Sequence, residues 1–265
     1  MRRPAVDDPF ADIASVLHTV SHRVGSEIMV IGAHARDAVL AQLGAQPGRQ
    51  TEDVDVVVGI PAGTSYRAVV QALGTPVNEK GYTFTVEGMP VDVLPSIDVP
   101  EEAARFSPAR DIVLDVRGIV LDVRGQAEAY ASAMQVEVAH DCVVRVPTAE
   151  ALALLKVIAW NVRRGQTSKD AKDLRALLDA MVERRLESDA LWESDTLARF
   201  DHDPDAAAWW IVGSGAIAGL PVAARVCAQI IAESGEALLH DMGLSGPLRV
   251  WDLRLAALRL GLEGR

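Results

Sequence analysis

The chain is short of cysteine, of long apolar runs and of positive charge, and each shortage excludes something. Its two cysteines, Cys142 and Cys227, show no CxxC or Cys/His spacing, so neither a disulfide framework nor a structural zinc site is indicated. No stretch of 18 uninterrupted apolar residues occurs, which argues against a membrane span. Near the start, Arg2 and Arg3 are followed by Pro4, Asp7 and Asp8 rather than by the apolar run of an export leader. Lys and Arg total 26 against 37 Asp and Glu, a net charge of −11, so bulk charge will not coat the protein onto nucleic acid or an anionic membrane. A phosphate-bearing partner must be met by a local basic patch. The expectation is a soluble, unexported protein of the reducing cytoplasm, with no membrane partner.

What is present is apolar material, 49% of 265 residues, enough for one large domain or two modest ones. The first half alternates element types. Residues 10–24 carry Phe10, Ile13, Val16, Leu17 and Val20 at helical spacing. Ile28 to Ile31 reads as a strand ending at Gly32, and Ala35 to Leu43 as a helix stopped by Gly44: strand, glycine turn, helix. Thr51 to Ile60 reads as a strand, Ser65 to Leu73 as a helix, and Tyr82–Val86 with Pro90–Leu94 as a hairpin turning at Glu87 and Gly88. The heptapeptide IVLDVRG occurs twice between Ile112 and Gly125, a local duplication or a hairpin turning at Gly118. Gln135–Ala139 and Cys142–Val146 form a further strand pair. From Thr148 the pattern is helical: Ala149–Val162, Lys169–Arg184, Asp205–Val212, Pro221–Glu233 and Leu248–Leu262. The reading is α+β, with a sheet domain over 1–146 and an all-helical domain over 147–265.

Chemistry concentrates in IGAHARDAVLAQLGAQPGRQTEDVD, residues 31–55. Residues two apart on a strand share a face, about 6 to 7 Å apart, so Asp53 and Asp55 present two carboxylates side by side. Such a pair repels itself unless a cation intervenes, and hard divalent ions such as magnesium take oxygen ligands. The bland alternative is an edge strand with acids in water and valines in the core. Three features shift the balance. Gly32 opens a helix whose backbone N–H groups can receive a phosphate. Asp92, on a strand, can complete a metal site or act as a general base. Lys156, in the apolar run ALALLKVIAW, needs a partner, for which a triphosphate is suited.

In their order along the chain, the glycine turn, T-x-D-V-D, a later strand Asp, a Lys-bearing helix and K-D-x-x-D-L resemble the DNA polymerase β type nucleotidyltransferase superfamily, and within it the AbiEii-like toxin branch. The resemblance spans roughly Ile28 to Leu178. It implies a small mixed sheet with flanking helices followed by a helical domain, and transfer of a nucleoside monophosphate from a nucleoside triphosphate with magnesium, in a one-ion or two-ion site. By position, Gly32 and Ala33 match the turn that holds the triphosphate, with Ala33 lacking the family's serine hydroxyl. Asp53 and Asp55 match the metal-binding pair, and Asp92 the third carboxylate. Lys156 matches the phosphate-contacting lysine, Asp170 the acid that follows it, and Asp173 comes second. Arg36, Arg49, Arg163, Arg164 and Lys169 are further candidates for phosphate or acceptor contacts.

The implied reaction is in-line attack of an acceptor hydroxyl on the α-phosphorus. Three readings of the acceptor stand. The first is RNA, tRNA above all, or protein, as the toxin half of a toxin-antitoxin pair with an antitoxin partner; Arg163, Arg164, Lys169, Lys172 and Arg175 supply positive surface and Trp160 a stacking aromatic. Against it, these charges read equally as a solvated face with pairs such as Lys169 and Asp173. The second is a small hydroxylated acceptor such as an aminoglycoside, and the third a non-catalytic nucleotide-binding module. Trp209, Trp210 and Trp251 read as helical-domain packing; the six histidines show no metal spacing, and His34 alone lies near the glycine turn.

Overall fold

The computed structural model describes residues 10–48, 51–59, 71–77, 81–96, 124–139, 141–192, 195–244 and 248–265. The chain divides into two compact units, one of residues 1–41 and 46–147 and one of residues 42–45 and 148–265. Among the described residues no helix is long and apolar enough to cross a membrane.

The first unit is built on a six-stranded mixed sheet of order β3-β4-β2-β1-β6-β5. Its strands are β1 (Ile28–Ile31), β2 (Val54–Gly59), β3 (Thr83–Val86), β4 (Met89–Ser96), β5 (Met134–Ala139) and β6 (Cys142–Val146). Strand β1 runs antiparallel to β2 and parallel to β6, while β2 is parallel to β4. Val54, Val56, Val57 and Val58 are all 0% exposed, so β2 is covered on both faces; strict acid-out, valine-in alternation does not hold. The hairpin between β3 and β4 turns where expected, with Glu87 (φ 50°) and Gly88 (φ 83°) both left-handed, the geometry a two-residue hairpin favours.

Helix α1 (Ala14–Val24) follows a short 3-10 turn at Ala11–Ile13 and buries Val16, Leu17 and Val20, the stripe its spacing predicts. Helix α2 (Gly32–Gln42) begins directly at the end of β1. The expected turn is Gly32 itself, which bends the chain with φ 67°, and the helix starts there rather than at Ala35. Helix α3 (Gln126–Ser132) precedes β5 and was not foreseen. The predicted helix over Ser65–Leu73 lies outside the described residues up to 70, as does the IVLDVRG tandem up to 123.

The second unit is helical: α4 (Ala149–Arg163), α5 (Lys169–Leu186), α6 (Asp189–Trp192), α7 (Thr196–Arg199), α8 (Pro204–Ile217), α9 (Pro221–Asp241) and α10 (Leu248–Leu262). Thr148 caps α4 by accepting from the Ala151 N–H, and Asp203 caps α8 by accepting from the N–H groups of Asp205 and Ala206. Helix α9 runs past Glu233, where the periodicity breaks, because only Ser234 (φ −143°) leaves helical geometry before the helix resumes. Helices α8 and α10 cross at two glycines. A Cβ on Gly213 would stand 2.3 Å from the Leu258 carbonyl, and one on Gly261 2.3 Å from the Trp210 carbonyl. Backbone lies against backbone there, and no side chain fits between.

Candidate functional site

The register of the sheet builds a row across four strands. Ile31 of β1 opposes Asp55 of β2, Asp55 opposes Asp92 of β4, and Asp92 opposes Thr83 of β3. Neighbouring strands stand about 4.8 Å apart, so Asp55 and Asp92 are close carboxylates on one face, a repulsive arrangement unless something holds or neutralises them. Thr83 does part of this: it is 8% exposed, and its hydroxyl donates to Asp92 Oδ1 at 2.6 Å. On the other side, a Cβ on Gly32 would stand 1.9 Å from Asp55 Oδ2. Glycine is therefore required at the start of α2 by the close approach of the Asp55 carboxylate as well as by its backbone angle.

Asp53 sits differently from expectation. It precedes β2, is exposed, and its Oδ1 accepts from the Thr51 hydroxyl. Asp53 and Asp55 are thus not two residues of one strand; the first lies on the bend leading into the second's strand. Each acid has a neighbour of its own: Thr51 for Asp53, the Gly32 approach for Asp55, Thr83 for Asp92. Among the described residues no three His, Cys, Asp or Glu side chains are gathered as a metal-holding group. The donor set itself, carboxylates with hydroxyls and no sulfur, has the hard oxygen chemistry that suits magnesium.

The first turn of α2 carries the remaining candidates of this unit. Ala33 is buried and has no polar atom beyond its backbone. His34 Nδ1 is buried without a hydrogen-bond partner, a deficit that costs about 1 to 3 kcal/mol. Burial lowers the His34 pKa, with Asp37 and then Asp53 opposing through their charge. Arg36 is 1% exposed: its Nε donates to Asp37 Oδ1 at 2.8 Å, and the same oxygen accepts from the Gly48 N–H at 2.8 Å. A Cβ on Gly48 would stand 2.5 Å from the Arg36 guanidinium carbon. The guanidinium is enclosed by the chain, tying α2 to the segment at Gly48. Arg49 lies outside the described residues.

In the helical unit, Lys156 is 7% exposed and its partners are its own unit's acids: Nζ lies 2.7 Å from Asp173 Oδ2 and 3.4 Å from Asp170 Oδ1. Arg163 Nη2 stands 2.7 Å from Asp170 Oδ2, completing a group of two cations and two carboxylates. The need for a counter-charge that pointed to a triphosphate is met inside the fold. Asp173 turns inward to Lys156, so the expected Lys169–Asp173 surface pair does not form. Trp160 is 0% exposed, donates from its indole to Asp241 Oδ2 at 2.8 Å and is covered by Arg164, so it is no stacking platform. Arg175 donates to the Gly243 carbonyl at 2.9 Å. Of the basic cluster, Arg163, Arg164, Lys169 and Lys172 stay exposed.

Sequence reading named Thr51 only as the first residue of T-x-D-V-D, without a contact, and missed Thr83. The signal for Thr51 was its spacing two residues before Asp53; Thr83 had none, because only strand register brings it to Asp92.

With the geometry in place, the comparison with protein families decides the lineage. Residues 40–245 match the model of the nucleotidyl transferase AbiEii toxin family of type IV toxin-antitoxin systems. The chain belongs to that family. The AbiEii match takes in Asp53, Asp55, Asp92, Lys156, Asp170 and Asp173, whereas Gly32 to Val39 precede it, so Gly32 enters the site through its contact with Asp55. No curated protein matches the chain.

Proposed function

We propose that this AbiEii nucleotidyltransferase moves a nucleoside monophosphate from a nucleoside triphosphate to an acceptor hydroxyl, the hydroxyl oxygen bonding to the α-phosphorus as pyrophosphate leaves, with the reacting centre at the Asp55–Asp92 row. The observation that carries the reading is the pairing of those two carboxylates in register, with Gly32 packed on the first. Asp55 and Asp92 would hold a magnesium ion, joined by Asp53 once its carboxylate leaves Thr51. When bound, the ion screens charge on the triphosphate and lowers the pKa of an attacking hydroxyl. The chain's own groups do the rest. Asp92 receives the acceptor proton at the carboxylate oxygen not engaged by Thr83, and the fixed register holds both acids before substrate arrives, so little reorganisation remains for the reaction.

RNA is the acceptor we favour, because Arg163, Arg164, Lys169 and Lys172 leave exposed positive charge at the end of α4 and the start of α5 in a chain of net charge −11. As a toxin-family member it would be held in check by an antitoxin. Lys156 and Asp170 act within the helical unit, where Asp173 holds the lysine at 2.7 Å and Asp170 lies 3.4 Å from it.

The test incubates the protein with magnesium and each labelled nucleoside triphosphate, separately with total tRNA, total protein and an aminoglycoside panel, using the Asp53→Ala, Asp55→Ala double variant as control. Label in the tRNA pool that the control lacks supports the proposal. Label in protein or aminoglycoside keeps the transferase and removes the RNA acceptor. No label and no nucleotide binding sinks the reading.

A further inference from the structure

The contact between Thr83 and Asp92 has no part in the family resemblance, yet it joins two members of the row side chain to side chain. Thr83 sits one strand outside Asp92, opposite it in register, buried, with its hydroxyl 2.6 Å from Oδ1. A strand aspartate can turn about two side-chain torsions, and beside Asp55 it gains by turning away from the like charge. A donor on the far side from Asp55 opposes that turn and spreads the charge of the carboxylate. Gly32 limits Asp55 from the opposite end of the row. The acid pair is therefore bracketed, by a glycine that admits one carboxylate and a threonine that holds the other.

We infer that Thr83 is a positioning residue whose hydroxyl keeps Asp92 beside Asp55, so that the two carboxylates together take one divalent cation of the hard, oxygen-seeking class. The inference rests on the nucleotidyltransferase reading for the use of that ion, and on the geometry of the row for its binding. Serine keeps the donor. Valine keeps the shape and the strand preference and removes the donor.

The experiment measures manganese(II) binding to the full chain without nucleotide, by electron paramagnetic resonance, for wild type, Thr83→Val, Thr83→Ser, Asp92→Asn and the Thr83→Val, Asp92→Asn pair. Loss of an orienting partner weakens metal affinity about 10-fold or more, so Thr83→Val should weaken binding on that scale, Thr83→Ser should restore it, and Thr83→Val should add nothing once Asp92 is Asn. Thr83→Ala replaces the valine variant if that one does not fold. Unchanged binding in Thr83→Val, an equal loss in the Asp92→Asn background, or no manganese binding by wild type overturns the inference. Nucleotide transfer is assayed in parallel. A wild type that transfers label while Thr83→Val binds manganese normally loses only this inference; a wild type that transfers nothing while Thr83→Val binds 10-fold more weakly loses only the transferase reading.

Discussion

The acid row of the sheet unit and the buried acids of the helical unit are met in opposite ways. In the sheet unit Asp53 and Asp92 are met by neutral hydroxyls, Thr51 and Thr83, while Asp55 stands on Gly32. In the helical unit Asp170 and Asp173 are buried at 3% and 6% exposure and are met by the cations Lys156 and Arg163. A carboxylate in register with another carboxylate is the arrangement on which the proposed chemistry rests. One closed off by lysine and arginine serves the fold first. Substitutions in the first region should therefore report on chemistry, and those in the second on stability.

The sharpest way to break this contrast is Lys156→Ala. It removes the cation 2.7 Å from the buried Asp173, while Asp170 keeps Arg163, and removing one partner of such a buried pair costs about 3 to 5 kcal/mol. Urea unfolding should show that loss, and a variant as stable as wild type would dissolve the distinction. Next come the glycines. Gly213→Ala drives a Cβ into the Leu258 carbonyl and should cost about 1 to 3 kcal/mol, with any transfer activity per folded molecule retained. Gly32→Ala has a comparable strain at φ 67°, about 1 to 2 kcal/mol, but also displaces the Asp55 carboxylate, so activity per folded molecule should fall further than stability does. Equal ratios of activity to stability loss in the two variants would remove the site from Gly32.

The smallest expected effect is the pH response of His34. Burial lowers its pKa below the ordinary 6.5, so the unfolded chain takes up the proton first. The stability it contributes is complete above 6.5 and is lost as pH falls through the lowered folded value. His34→Gln should flatten the fall in urea midpoint between about pH 7 and 5; an unchanged slope would assign that fall to other groups.

Much of the fold was legible because it is written in local pattern. Strands β1 and β6 and helix α10 run between the residues that periodicity names, and the cap at Thr148 carries chemistry that acts within three residues. What failed was tertiary. Alternation put Asp53 on the strand, but the chain bends before Val54; apolar spacing put Trp160 on a helix without saying that Asp241, 81 residues away, takes its indole. Lys156 was singled out as a cation in need of a partner, and Asp170 and Asp173 as motif acids, but that these acids 14 and 17 residues on meet the lysine itself is a matter of helix packing. Of the candidate site, the acids were visible as residue types, while the register that pairs Asp55 with Asp92 and Asp92 with Thr83 was not.

That register couples assembly to competence. The row joins residues 31, 55, 83 and 92, none adjacent in the chain, and strand pairing alone brings them together. A slip of one residue in β2 would exchange its faces, sending Asp55 to the side held by Val54, Val56 and Val58, each 0% exposed. Such a chain pays for a charge in its core and has no acid row, so the misregistered product is disfavoured. The row exists only once the central strands have found their partners.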